Sequence, residues 1–231
     1  MQAPTRTATV LLQARPRATA ARLAPGLYRI DTAAGAGPDH RPAWLRMPAG
    51  QDGRAPSALA VMLHGSGGEP EQGLALLEPY ASRAGLPVLA PASDSYTWDA
   101  VLGRAGPDAA HIDEALGWVF QRHAFDAARI HVGGFSDGAS CALALGLGNG
   151  GLFRRVLALS PGFVPPTAPQ GEPEVLVSHG TADRVLPIAR CSRVIVPSLR
   201  RAGYAVDYRE FDGGHEIPAG IAEAAVQWLL R

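Results

Sequence analysis

The stretch Gly134-Phe135-Ser136-Asp137-Gly138 restricts this chain more than any other. It joins a strand-like run, Arg129 to Val132, to a run of small residues, Ala139 to Gly148, that reads as a helix. A serine between two such elements sits on a sharp turn with a strained backbone, its hydroxyl lifted out of the sheet. Side chains two positions to either side would collide there, and glycine removes them. The five residues alone fit an ordinary glycine-rich turn. The strand before and the helix after are what make Ser136 a candidate nucleophile.

The surrounding pattern agrees with such a turn. From about residue 55 short apolar runs alternate with helical spacings, as in a parallel sheet with crossover helices. Ala58 to Leu63 is a continuous apolar run, and the next strand is read over Leu86 to Pro91. A helix is expected from Pro70 through Leu74, Leu77 and Tyr80 up to Gly85. Asp108 is the expected cap of a helix with Ile112, Leu116, Val119 and Phe120 on its apolar face. Further strands are read at Arg155–Ser160, Val175–Val177 and Val206–Phe211, and helices at Ile188–Ala202 and Ile221–Leu230. Residues 1–50 are cut by prolines into short pieces that suit antiparallel edge strands. Hairpin and loop segments are expected at Ala33–Asp39 and Gln51–Pro56. No repeat or second domain is visible, so 1–231 is read as one α/β domain.

A chain of 231 residues fits one domain and has enough core to do without disulfides. Lys+Arg and Asp+Glu balance at 21 each, which argues against a nucleic acid or an acidic membrane as partner. A neutral small molecule is the expected one. Cys141 and Cys191 lack metal-ligand spacing, and a buried inert thiol is expected at Cys141. The early arginines faintly resemble a transit peptide. No secretory signal or bilayer-spanning run is read, so a cytoplasmic protein is expected. An oligomeric state cannot be read.

Four short segments fall at the carboxyl ends of strands, where open parallel sheets bind ligands: His64-Gly65-Ser66-Gly67-Gly68, Gly134 to Gly138, His179-Gly180-Thr181-Ala182-Asp183, and Gly213-Gly214-His215. On these segments the chain resembles the α/β-hydrolase superfamily, and within it the bacterial phospholipase/carboxylesterase-like serine esterases. The resemblance implies an α/β-hydrolase fold with a mostly parallel sheet. The order Ser, Asp, His is the one that fold uses. It assigns Ser136 as nucleophile, His215 as its base, and Asp183 as the carboxylate that orients the base. Asp212, three residues before His215, competes for that last role. Oxyanion donors would be the backbone N–H groups of Asp137 and of Ser66, with Gly67 as the alternative to Ser66. His64 and His179 are expected to brace loops.

Trp98 is a candidate aromatic wall, with local packing as the other reading. Leu186 and Ile217 are expected to line the same cleft. The Pro-rich link at 161–173 leaves no room for a large lid. The implied activity is hydrolysis of small to medium acyl esters through an acyl-enzyme, chemistry that requires no metal or organic cofactor. A lysophospholipase or thioesterase, a peptidase or amidase, and an inactive binding protein on the same fold are the rivals.

Overall fold

The computed structural model describes residues 11–33, 41–50, 55–104 and 106–231. The loop expected at Gln51–Pro56 falls largely outside these residues. The hairpin loop at Ala33–Asp39 falls outside them except for Ala33, and the start of the edge-strand region, 1–10, does so wholly.

Eight strands among the described residues form one sheet: β1 (Gly26–Ile30), β2 (Ala43–Met47), β3 (Ser57–Leu63), β4 (Val88–Ala90), β5 (Phe125–Phe135), β6 (Arg155–Leu159), β7 (Glu174–Gly180) and β8 (Val206–Phe211). Their order is β1-β2-β4-β3-β5-β6-β7-β8. Pairing is parallel from β4 to β8, and β1–β2 and β2–β4 are antiparallel. Of the two N-terminal strands only β1 is an edge. β2 is hydrogen-bonded on both sides.

The helices are α1 (Pro70–Ala75), α2 (Tyr80–Arg83), α3 (Pro107–Arg122), α4 (Asp137–Gly148), α5 (Ser192–Arg201) and α6 (Ala219–Leu230). The strand period divides the core between the two faces of the sheet. Leu59, Val61 and Leu63 of β3 join Val156, Ala158, Val175 and Val177 in the layer under α3, α4 and α5. Ala58, Ala60 and Met62 join Leu157, Leu159 and Leu176 in the layer under α1, α2 and α6. All seven residues of β3 are buried, as its unbroken apolar run requires.

Several boundaries differ from the sequence reading. The helix expected from Pro70 to Gly85 is broken between α1 and α2, where Pro79 has no N–H to continue the ladder. Asp108 does not cap α3. The helix starts at Pro107, and the Asp108 carboxylate instead accepts hydrogen bonds from the Asp94 and Asp99 amides, closing the 94–108 loop on itself. The helix expected from Ile188 begins later, at Ser192, after a turn.

The N-terminal segment that is not strand is tied to the body of the molecule. Leu12 donates its N–H to Asn149, and Gln13 and Ala14 donate to Asp113. His123 accepts from the Leu23 amide at Nδ1 and donates from Nε2 to Ser57. Between β6 and β7 the link at 161–173 contains no helix, so no lid rises from it.

Candidate active site

After β3 the chain crosses to β4 on one side and returns through α3 to β5 on the other. The loops after β3 and β5 therefore meet at the carboxyl edge of the sheet, where the strand order reverses. Ser136 stands in this crevice with φ 57° and ψ −120°, a conformation that L residues rarely adopt. It is held there by its N–H, which donates to Leu159 O at 2.9 Å, and by Ser140 Oγ, which donates to the Ser136 carbonyl at 3.4 Å. A Cβ on Gly134 would overlap the Gly138 carbonyl, and one on Gly138 would overlap the carbonyls of Leu63 and His64. Glycine is thus obligatory at both positions because backbone, not solvent, occupies the space.

The loop after β8 places His215 against Ser136. Its ring lies 4.6 Å from that of Phe135, Nε2 is 2.9 Å from Ser136 Oγ, and Nδ1 is 2.6 Å from Asp183 Oδ2. The other oxygen of Asp183 accepts the N–H groups of Val185 and Leu186 at 2.9 and 2.8 Å. Burial pushes the Asp183 carboxyl up. The Leu186 amide, then His215 and Val185, outweigh it and hold the group below the usual carboxylate range. Asp212 is exposed, and the nitrogen of His215 that a carboxylate would orient is taken by Asp183.

Two further histidines support these loops. His179 is buried, and burial keeps it below the ordinary histidine range. Its neutral ring donates from Nε2 to Leu186 O at 2.8 Å, with Asp183 Oδ2 3.2 Å away, and accepts the Ser192 hydroxyl at Nδ1. His64 is buried and lowered for the same reason. Its Nε2 accepts the Ser93 amide, and its Nδ1–H donates to Gly65 O.

The loop His64–Gly68 passes close to Ser136: a Cβ on Gly65 would lie 3.6 Å from Ser136 Cβ. The N–H of Gly67 is spent on Tyr96 O at 2.6 Å, and that of Gly68 on Gly65 O. Among the described residues no backbone acceptor takes the N–H of Ser66 or of Asp137. Asp137 opens the 12-residue helix α4, whose first N–H groups lack intrahelical partners. Its carboxylate accepts the Thr97 hydroxyl at 2.6 Å.

Trp98 does not form a wall of the crevice. It is fully buried, its ring lies 4.7 Å from that of His64, and its Nε1–H donates to the His64 carbonyl at 2.9 Å. Indole carries both an apolar body and a donor, and both are used inside. The exposed aromatic of that loop is Tyr96, at 74% exposure, whose ring abuts Gly67. Sequence reasoning passed over Tyr96; its place two residues from a buried tryptophan in a loop was the available signal. Ile217 lines a cavity of about 510 Å³ beside His215, together with Leu76, Tyr80 and Phe135. Leu186 lies outside that cavity, with its side chain against Gly162.

Cys141 and Cys191 are buried and unpaired, and burial raises both thiols. Among the described residues no three His, Cys, Asp or Glu side chains gather as a metal set would. No described helix is long and apolar enough to cross a bilayer.

Three solved structures illustrate what this architecture is similar to. Esterase PE8 superposes with a TM-score of 0.66 over 80% of this chain and 96% of its own, at 22% identity. The S-formylglutathione hydrolase of Staphylococcus aureus gives 0.70 over 90% and 99%, at 15% identity. The carboxylesterase of Bacillus cereus gives 0.63 over 81% and 92%, at 21% identity. At these identities the likeness establishes the α/β-hydrolase fold. No curated protein matches the sequence significantly. A family model described as Phospholipase/Carboxylesterase matches residues 111–229, a stretch that contains the Ser136 turn, the Asp183 loop and the His215 loop. Spanning more than half of the chain, that match makes this protein a hydrolase of the phospholipase/carboxylesterase family.

Proposed function

We propose that the protein is a serine carboxylesterase that cleaves small to medium acyl esters, with Ser136, His215 and Asp183 as its catalytic residues and the whole chain as a single domain. The observation that carries this reading is the continuous hydrogen-bonded line from Ser136 Oγ through His215 to Asp183 Oδ2, at 2.9 and 2.6 Å. A serine hydroxyl attacks a carbonyl only when a base removes its proton. Asp183 takes the Nδ1–H of His215, so Nε2 is the free lone pair facing Ser136. Oγ adds to the ester carbonyl while its proton passes to Nε2. The resulting imidazolium is stabilised by Asp183 and then protonates the departing alcohol. Water repeats the cycle on the acyl-enzyme. The N–H groups of Ser66 and Asp137 would receive the oxyanion.

Beside His215 lies the 510 Å³ cavity that Ile217 lines. It gives the leaving group or a longer chain room, and Tyr96 takes the place of Trp98 as the exposed aromatic at the oxyanion loop. The same cavity favours the second reading, a lysophospholipase or acyl thioesterase.

The test is hydrolysis of p-nitrophenyl acetate, butyrate, octanoate and palmitate by wild type and Ser136→Ala, with an acyl thioester and a lysophospholipid alongside. Activity peaking at butyrate or octanoate and falling by roughly 10⁴-fold or more in the variant is expected. A palmitate optimum would select the second reading. Binding of esters without turnover by wild type would identify a binding protein instead.

A further inference from the structure

The His64–Gly68 loop lies between β3 and α1 and has no ladder or helix of its own to fix it. A second irregular loop, 93–98, holds it through the Ser93 amide on His64 Nε2, the Tyr96 carbonyl on the Gly67 amide, and Trp98 Nε1 on the His64 carbonyl. One side chain distant in sequence spans both loops. Arg41, just ahead of β2, donates from Nη1 to Gly68 O at 3.2 Å and to Glu69 Oε1 at 3.1 Å. From Nη2 it donates to Ser93 O at 2.8 Å and Ser95 O at 3.0 Å.

Three of these four acceptors are main-chain carbonyls of the loops themselves, and the Arg41 side chain is only 27% exposed. A planar guanidinium has donors in fixed directions, so it sets the spacing of the carbonyls it bridges. A lysine ammonium does not. Within the loop the Gly67 and Gly68 amides are already committed, whereas no backbone acceptor among the described residues takes the Ser66 amide, whose place depends on how Gly68 is held.

We propose that Arg41 is a positioning residue for the oxyanion hole: by clamping Gly68 to Ser93 and Ser95 it holds the Ser66 N–H where the tetrahedral intermediate needs it. The proposal rests on the esterase reading above. A hole works because its donors are in place before charge develops, so loosening the clamp weakens transition-state binding more than ground-state binding. Arg41 lies outside the stretch that the family model matches.

The experiment compares wild type, Arg41→Ala, Arg41→Lys and Ser136→Ala on p-nitrophenyl butyrate, with thermal melting of each. Each protein is also titrated with a trifluoromethyl ketone, which forms an oxyanion adduct with the serine, and with the matching methyl ketone, which does not. Both Arg41 variants are expected to lose about ten- to a hundredfold in kcat, with KM within about threefold of wild type. Their affinity for the trifluoromethyl ketone should fall by a similar factor and that for the methyl ketone should hold. Methylguanidinium added to Arg41→Ala should recover part of kcat. If Arg41→Ala does not fold, Arg41→Lys, which keeps the charge but not the fork, carries the measurement. Full kcat in a folded Arg41 variant, or equal weakening of both ketones, would overturn the proposal while an inactive Ser136→Ala leaves the esterase reading standing. An active Ser136→Ala, or no turnover by wild type, overturns both.

Discussion

The carboxylate of Asp137 directly follows Ser136, and it accepts a hydrogen bond from Thr97 instead of capping its own helix. It therefore brings a negative charge to the edge of the crevice. Like charges several Å apart near a protein surface repel by about 1–2 kcal/mol. A succinyl ester is accordingly expected to react about tenfold more slowly than its neutral analogue, and Asp137→Asn should narrow the gap. Equal rates for the two esters in wild type would remove this charge from the account. Residue types after particular strands pointed to Ser136, Asp183 and His215, and the structure brings the three side chains within hydrogen-bond reach. They were a poor guide to Trp98, because a loop tryptophan facing inward and one facing a ligand look alike in sequence.

At the scale of elements, the strand-to-helix turn from β5 to α4 is built by exclusion. No side chain fits at Gly134 or Gly138 because the backbones of α4 and of the β3 end occupy the space. Gly138→Ala must push the Leu63–His64 backbone away, which moves the His64–Gly68 loop along with Ser136. We expect a loss of about 1–3 kcal/mol in stability and a fall in kcat in whatever protein remains folded. Urea melts and turnover on a neutral ester measure both; a fully stable, fully active variant would show that the turn can relax. Helix and strand existence was readable from periodicity. The break between α1 and α2 and the true start of α3 were not, because they depend on one missing N–H at Pro79 and on which backbone the Asp108 carboxylate reaches.

For the whole molecule, two buried groups make stability respond to pH in opposite senses. His131 in β5 is 1% exposed; burial, then the nearby Arg155 and Arg129, lower it to about 3. The fold keeps it neutral while the unfolded chain takes up a proton below about 6.5, so its contribution is present above that value and is lost as pH falls towards 3. Asp108 is 4% exposed. Burial raises it to about 6, against the Asp94 and Asp99 amides that lower it. Its contribution is present below about 3.8, the unfolded value, and is lost as pH rises through 6. Each shift carries about 1.4 kcal/mol per pH unit at most, so the two largely cancel between pH 4 and 6. Urea melts across that range compare wild type with one variant at each group. His131→Phe should become less stable relative to wild type as pH rises, and Asp108→Asn relatively more stable. Parallel curves for all three proteins would show that neither group titrates on unfolding.

The amino-acid sequence by itself determined the alternation of buried strands and helices, the glycine-flanked serine turn, and the order of serine, aspartate and histidine. These are local patterns, fixed by side-chain period and by the backbone geometry that only glycine tolerates. The tertiary structure alone decided that β2 is an interior strand, that Trp98 faces the core while Tyr96 faces out, that Gly67 is already bonded, and that Arg41 reaches two loops from far along the chain. These depend on which segments lie side by side. Sequence spacing carries little information about that, because loop lengths restrict it only weakly.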